Sequence, residues 1–234
     1  MFNELFSSAA WQEAWTIIRS EFMTAFWETI AVTLAATLFA FVIGLPLGIL
    51  LVVGDKNGIH PLPRWLMQIL NILVNLLRSV PFLILMILVF PLTRLIVGTS
   101  VGTTASVVPL TIAAFPFVAR LVESSMRELN PNILEMSRSM GASTMQTICK
   151  VMLPEALPSL LSNATIAVTT ILGYTAMSGI IGGGGLGKIA INYGYYRYKY
   201  LVMLCAVVLL IIIVQLFQSL GTHLAKVTDK RLKK

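Results

Sequence analysis

The sequence predicts an all-α polytopic membrane protein with five transmembrane helices, and three observations carry that prediction. The 234 residues are 57% hydrophobic and 12% charged, where a soluble domain carries roughly 25% charged residues. Mean hydropathy is +0.85. The apolar residues fall in charge-free runs long enough to cross a bilayer, for which about 20 helical residues suffice. Spans with short connections then use up the chain, leaving no room for a soluble catalytic domain.

Residues 1–26 are expected to form an external amphipathic extension. Glu4, Glu13 and Glu21 stand there against the single Arg19, with Trp11, Trp15, Phe22 and Phe26 interleaved. No short apolar core with a small-residue cleavage site follows a basic start, so a cleaved signal peptide is rejected. A segment lying at headgroup level fits better. A transmembrane domain over 27–224 follows, opening with a first span at 28–54. Gly44, Pro46 and Gly48 in it suggest a bend or a close helix contact, and Asp55-Lys56-Asn57-Gly58 ends it as a turn.

The second span is placed at 65–93. Its first half is amphipathic, with Trp65, Leu66, Ile69, Leu70, Leu73, Leu76 and Leu77 on one side and Arg64, Gln68, Asn71, Asn75 and Arg78 on the other. Polar groups at this depth face a protein interior or water. The strip Asn71, Asn75, Arg78 is therefore a candidate for pathway lining or subunit packing; the alternative is that Arg78 snorkels to the interface. A turn at Gly98–Thr104 separates this span from a third at 104–120, which contains Pro109 and Pro116. The fourth span, 156–181, is rich in Ser, Thr, Ala, Asn and Gly, residues that let membrane helices approach closely, and is placed at the packed centre. The fifth, 200–224, is aliphatic all round.

Between spans three and four lies the longest polar interval, 121–154. Asn130-Pro131 opens a short helix, with Asn as N-cap and Pro where its missing N–H costs nothing. Gly141 closes that helix in a left-handed conformation. Ser143 to Gln146 restarts the chain as a capping box, and Leu153-Pro154 is expected to stop the second helix.

Orientation follows from Lys and Arg. Lys56, Arg64, Arg120, Arg127, Arg138, Lys150 and the basic tail at 225–234 (Lys226, Lys230, Arg231, Lys233, Lys234) group on one side. Arg19, Arg94, Lys188, Arg197 and Lys199 group on the other. The central loop and C-terminus are thus cytoplasmic and the N-terminus external. The net charge of +7 is explained by this tail beside anionic lipid, so membrane lipids are expected partners and nucleic acid is not.

Several motifs fail on context. Gly182 to Lys188 reads as a phosphate-binding loop, but its Mg²⁺-binding position is Ile189 and no strand precedes it. The glycines are read as a flexible ending of the fourth span, followed by an interfacial aromatic cluster at Tyr193, Tyr195, Tyr196, Tyr198 and Tyr200. Cys149 and Cys205 offer neither a disulfide framework nor metal spacing, and no metal site is expected. Ser178 in a span has no histidine placed as a base, since His60 and His223 lie near loops, so no catalytic residue is assigned. Ion-coupled transport would need carboxylates buried in the spans, and none lies in the charge-free runs. Energy must come from outside the chain.

Glu135, then Gly141-Ala142, then Val151-x-Leu153-Pro154 resembles the "EAA" loop of permease subunits of bacterial binding-protein-dependent ABC importers. Met136 and Ser137 stand for the two alanines, and Val151 for the usual Ile. Trp27-Glu28-Thr29, Arg78-Ser79-Val80-Pro81-Phe82, Ile96-Val97-Gly98-Thr99-Ser100, Pro116-Phe117-Val118-Ala119-Arg120 and Gly185-Leu186-Gly187 resemble the methionine-uptake permeases of that family. The similarity runs from Trp27 to the C-terminus.

The resemblance implies a type I ABC importer permease fold in the bacterial cytoplasmic (inner) membrane, with a coupling helix between spans three and four. It implies a homodimer, two copies of a cytoplasmic ATP-binding subunit that uses ATP and Mg²⁺, and an extracytoplasmic substrate-binding protein. No cofactor is expected on this chain. The substrate implied is a small amino acid, methionine in its L and D forms; another small amino acid or a peptide is the alternative. The ATPase-coupling residues implied are Asn130, Pro131, Leu134, Glu135, Ser137, Arg138, Met140, Gly141, Ala142 and Met145. Translocation-pathway candidates are Asn71, Asn75, Arg78, Thr169, Tyr174 and Met177, and 182–200 is a docking surface for the binding protein. A non-transporting scaffold and a passive channel are the readings from other classes.

Overall fold

The computed structural model describes residues 8–229, and among them every regular element is helical. α1 (Ser8–Ile17) and α2 (Met23–Val53) are joined by a π-helical stretch, Ile18–Phe22, so that Ala10–Val53 is one helix of 44 residues. The helix runs unbroken through residue 26, where the extension was expected to meet the first span, because no Gly or Pro interrupts the chain between Ser8 and Ile43 and nothing else stops a helix so decisively. Residues 1–7 of the expected extension, and 230–234 of the basic tail, lie outside the described residues.

The second span is not one helix. α3 (Arg64–Ser79) and α4 (Phe82–Leu88) meet at an angle of 107°. Pro81 is the cause: it disfavours helical geometry at the residue before it, and Val80 is extended at φ −78°, ψ 127°. α5 (Phe90–Val97) follows and ends on Gly98 at φ 84°.

α6 (Thr103–Arg127) runs seven residues past the boundary expected at Arg120. After it come α7 (Pro131–Ser139), α8 (Thr144–Gln146), a π stretch at Thr147–Met152 and α9 (Leu153–Ser178). Leu153-Pro154 does not stop the helix, which is continuous over Thr144–Ile181. The widened turn before Pro154 explains this: the Leu153 N–H bonds back five residues to the Ile148 carbonyl, the kind of local slack that lets a helix carry a proline. A 3₁₀ turn at Gly179–Ile181, a short helix α10 (Gly185–Ile189), a π stretch at Ala190–Tyr196 and α11 (Tyr200–Thr228) complete the chain. Among the described residues, four helices are long and apolar enough to span, five if the bent pair α3–α4 counts as one.

The described chain divides into two compact units. One draws on residues up to Thr37, on Pro81–Ile112 and on Val168–Phe217; the other on Leu38–Val80, Ala113–Ala167 and the chain from Gln218 on. In the first, Ile17, Phe22 and Ala25 pack with Leu172, Leu186, Tyr193, Val202 and Ala206, and the Thr33 and Thr175 hydroxyls meet at 3.3 Å. In the second, α2 lies directly on α6. A Cβ added at Gly48 would sit 2.5 Å from the Ala119 carbonyl oxygen, and one at Gly44 2.8 Å from that of Phe115. Those glycines therefore serve close helix contact rather than a bend. The most enclosed span is α6, half of whose apolar window is buried, against 28% for Thr144–Ile181. The small-residue span expected at the centre is only partly covered among the described residues, most of its side chains being half-buried.

Candidate functional site

The central loop is built as the residue pattern requires. The Asn130 side chain accepts from the Asn132 N–H at 3.0 Å and Pro131 takes the first helical position. At the other end of α7, Gly141 adopts φ +74°. Its N–H donates to the Arg138 carbonyl at 2.9 Å and the Ala142 N–H to that of Ser137 at 3.2 Å. This pair of bonds is the Schellman closure, which satisfies carbonyls the helix end would otherwise orphan. Ser143 and Gln146 then form the reciprocal capping box. One element was not legible beforehand: Ser137 is buried, and its hydroxyl lies 2.9 Å from that of buried Thr147. That contact ties α7 to the helix after it.

Burial sorts the coupling candidates into two kinds. Ser137 points inward and Leu134 and Ala142 are half-buried, whereas Asn130, Pro131, Glu135, Arg138 and Gly141 are exposed. Met136, Met140 and Met145 are 60%, 79% and 68% exposed. α7 thus presents a capped, polar helix studded with flexible thioethers, side chains that adapt to an apolar partner surface. Beside it is a groove of about 470 Å³ lined by Gly58, Arg127, Leu134, Glu135 and Arg138 among others. The Arg138 guanidinium donates to the Gly58 carbonyl at 2.9 Å.

A polar network that sequence reading missed lies in the same unit. Arg120 donates to the side-chain oxygens of Asn71 and Asn75, each at 2.9 Å, and to Glu123 at 2.5 Å. Glu123 also accepts from Arg127 at 2.9 Å, and Arg127 pairs with Asp55 at 3.0 Å. Arg127 beside Asp55 holds that carboxyl below its ordinary value. Glu123 is, among the described residues, the buried carboxylate of a span-length helix, and flanking arginines neutralise it, so it offers no free coupling group. The i, i+3 and i, i+4 spacing of Arg120, Glu123 and Arg127 was a readable signal. Their link to Asn71 and Asn75, some 45 residues away, was not. Arg78 is exposed and is not joined to this network.

The remaining pathway candidates belong to the other unit. Tyr174 stacks on Phe82 with ring centroids 4.5 Å apart and planes 7° from parallel; Thr169 is half-buried and Met177 is exposed. In the same unit the glycine-rich segment is packed rather than loose. Gly183 to Gly187 are buried, the Gly185 N–H donates to Glu28 at 2.7 Å, and the Leu186 N–H to the Thr29 hydroxyl at 2.9 Å. The tyrosine cluster splits: Tyr195, Tyr196 and Tyr198 are exposed, but Tyr193 is buried, and its hydroxyl meets Glu21 at 2.5 Å. That carboxylate pushes the Tyr193 phenol pKa upward. Lys199 pairs with Glu13 at 2.6 Å. Among the described residues no three His, Cys, Asp or Glu cluster as metal ligands.

Known proteins share this architecture. The model of the family described as "binding-protein-dependent transport system inner membrane component" matches residues 44–234. The chain is 47% identical over 219 residues to the probable D-methionine transport system permease protein MetI of Vibrio cholerae, covering 93% of this chain and 96% of that one. It is 46% identical over 165 residues to the D-methionine transport system permease protein MetI of Escherichia coli K12, covering 70% and 73% of the two chains. A solved structure of the MetNI methionine ABC transporter in inward-facing conformation aligns with a TM-score of 0.87 at 45% identity, over 89% of this chain and 96% of that one.

Proposed function

Because the chain belongs to the binding-protein-dependent transport system inner membrane components, we propose that it is the membrane-spanning subunit of an ATP-driven methionine importer. Two copies form the translocation unit, two copies of a cytoplasmic ATP-binding subunit bind and hydrolyse ATP with Mg²⁺, and an extracytoplasmic binding protein delivers the amino acid. The single observation carrying the reading is α7: a capped, exposed helix presenting Met136, Met140 and Glu135, in a chain about 45% identical to methionine permeases over most of its length.

The mechanism follows from placing the energy source outside the membrane. The N-terminus faces outward and the central loop and C-terminus inward, as the Lys and Arg distribution favours. ATP closes the partner subunits, the helices Asn130–Met145 docked on them move as rigid bodies, and the spans exchange inward- and outward-open states; hydrolysis resets them. The caps at both ends of α7 and the Ser137–Thr147 contact support treating that loop as a lever. The exposed residues on Thr144–Ile181, Ile166, Gly173 and Met177 among them, support a second copy of this chain packing there. Asn71, Asn75, Arg78, Thr169, Tyr174 and Met177 are the pathway and gate residues of this reading, and the segment 182–200 receives the binding protein.

The deciding experiment is uptake of labelled L-methionine by proteoliposomes holding the chain with its ATPase and binding protein, with D-methionine as competitor. ATP-dependent accumulation that D-methionine suppresses is expected. ATP hydrolysis with accumulation of another amino acid or a peptide overturns the substrate, partner binding without any flux favours a scaffold, and flux through this chain alone favours a channel.

A further inference from the structure

The polar network of Arg120 is contiguous with the coupling helix, and every step of the connection is a hydrogen bond within one compact unit. The Arg138 guanidinium on α7 holds the Gly58 carbonyl. The Gly58 N–H donates at 2.8 Å to the carbonyl of Asp55, whose carboxylate binds Arg127. Arg127 holds Glu123, Glu123 holds Arg120, and Arg120 spans Asn71 and Asn75 on successive turns of α3. The α3 end is anchored too, because the Asn71 amide donates back to the Met67 carbonyl at 2.8 Å.

Two features make this a positioning device rather than a set of surface pairs. The connection carrying Asp55 and Gly58 is stiff. The His60 N–H returns to the Val53 carbonyl at 3.0 Å and the Leu62 N–H to that of Gly54 at 2.9 Å, and a Cβ at Gly58 would stand 2.6 Å from the Val52 carbonyl oxygen. At the far end, α3 stops before Pro81, where Val80 leaves helical geometry. A helix that ends there is an element two arrangements of Arg120 could bias. Alternating charges along the row, Arg120, Glu123, Arg127 and Asp55, leave no unpaired carboxylate, so the row can shift as a unit without baring a charge.

We propose that Arg120 is a positioning residue for transport: it grips Asn71 and Asn75 and makes α3 follow the coupling helix through Glu123, Arg127, Asp55 and the Gly58 carbonyl. The proposal rests on the importer reading and names a route by which that lever reaches a membrane helix.

The test uses the assembled complex in proteoliposomes and two readouts. The first is methionine transported per ATP hydrolysed; the second is the ATP-dependent change of a fluorophore attached at Gln68→Cys on α3, in a background lacking Cys149 and Cys205. Arg120→Gln is expected to hydrolyse ATP while transport per ATP falls at least about five-fold, the lower end of ordinary coupling strengths, and the fluorescence change is lost. Asn71→Leu/Asn75→Leu reproduces the defect with Arg120 intact, and combining it with Arg120→Gln adds nothing further, because both remove one link. The double-asparagine variant also decides the matter should Arg120→Gln fail to assemble. An unchanged transport ratio, or effects that add, overturns the proposal. Wild-type complex that hydrolyses ATP and moves no methionine sinks the importer reading instead, and the fluorescence readout still judges the network.

Discussion

At the scale of single residues, Gly141 carries the sharpest demand. Its φ of +74° is one that a residue with a Cβ, least of all a branched one, adopts only at about 1–2 kcal/mol, and no atom lies near where a Cβ would sit. A substitution there is therefore strained without being crowded. Gly141→Val is expected to unwind the end of α7 and reduce ATP-dependent uptake at least several-fold while the chain still inserts. Normal uptake by that variant would show that the lever needs no fixed ending.

Asp55 makes a different prediction. Its carboxyl is held below the ordinary value by the Arg127 hydrogen bond. A folded-state pKa under the unfolded one gives stabilisation that is present above about pH 4 and is lost as pH falls through the lowered value. Its side chain is 37% exposed, so solvent screening keeps the contribution under about 1 kcal/mol. Thermal unfolding in detergent is expected to drop slightly more for wild type than for Asp55→Asn between pH 6 and pH 3. Equal drops would remove the pairing from the account.

At the scale of elements, what was legible depended on how local the cause is. The caps of α7 were readable because Asn130, Pro131, Gly141, Ser143 and Gln146 each act within a few residues of themselves. The sharp bend at Pro81 within the second span was not legible, and Leu153-Pro154 was misread as a stop, for the same reason. A proline's effect depends on the hydrogen-bond register before it, which only the folded backbone shows. Neither the Ser137–Thr147 tie nor the grip of Arg120 on Asn71 leaves a mark in periodicity, since each joins residues that the fold brings together. Ser137→Ala strands the buried Thr147 hydroxyl, at about 1–3 kcal/mol. Hydrogen exchange should therefore quicken in residues 143–152 and stay unchanged in α6. Exchange that rises equally in both would make the contact a global prop rather than a local tie.

At the scale of the whole molecule, the unequal burial of the spans is the informative feature. The small-residue helix is only partly enclosed, with 28% of its apolar window buried against 50% for α6, and Ile166, Gly173 and Met177 stand exposed on it. Surfaces of that composition associate by close backbone approach. Bulky replacement of an uncovered small residue such as Gly173, whose Cβ would meet nothing, is expected to leave the monomer folded and weaken chain–chain association. Light scattering of the purified chain with and without its ATPase measures this, and an unaltered dimer in Gly173→Phe would locate the contact elsewhere.

The unbroken helix Ala10–Val53 also acts as a ruler. Forty-four residues at 1.5 Å each make a rod about 66 Å long, whereas a bilayer's hydrocarbon is about 30 Å thick. Even tilted by about 40°, the steepest usual inclination, only about 39 Å of it fits inside. Roughly 27 Å must stand clear. The end carrying Glu13, Arg19 and Glu21 is the polar one, and through Lys199 and Tyr193 it carries the segment leading into α11. In the proposed orientation the height of that segment is therefore set by the length of a helix, and deleting one turn from it would lower the segment by about 5 Å.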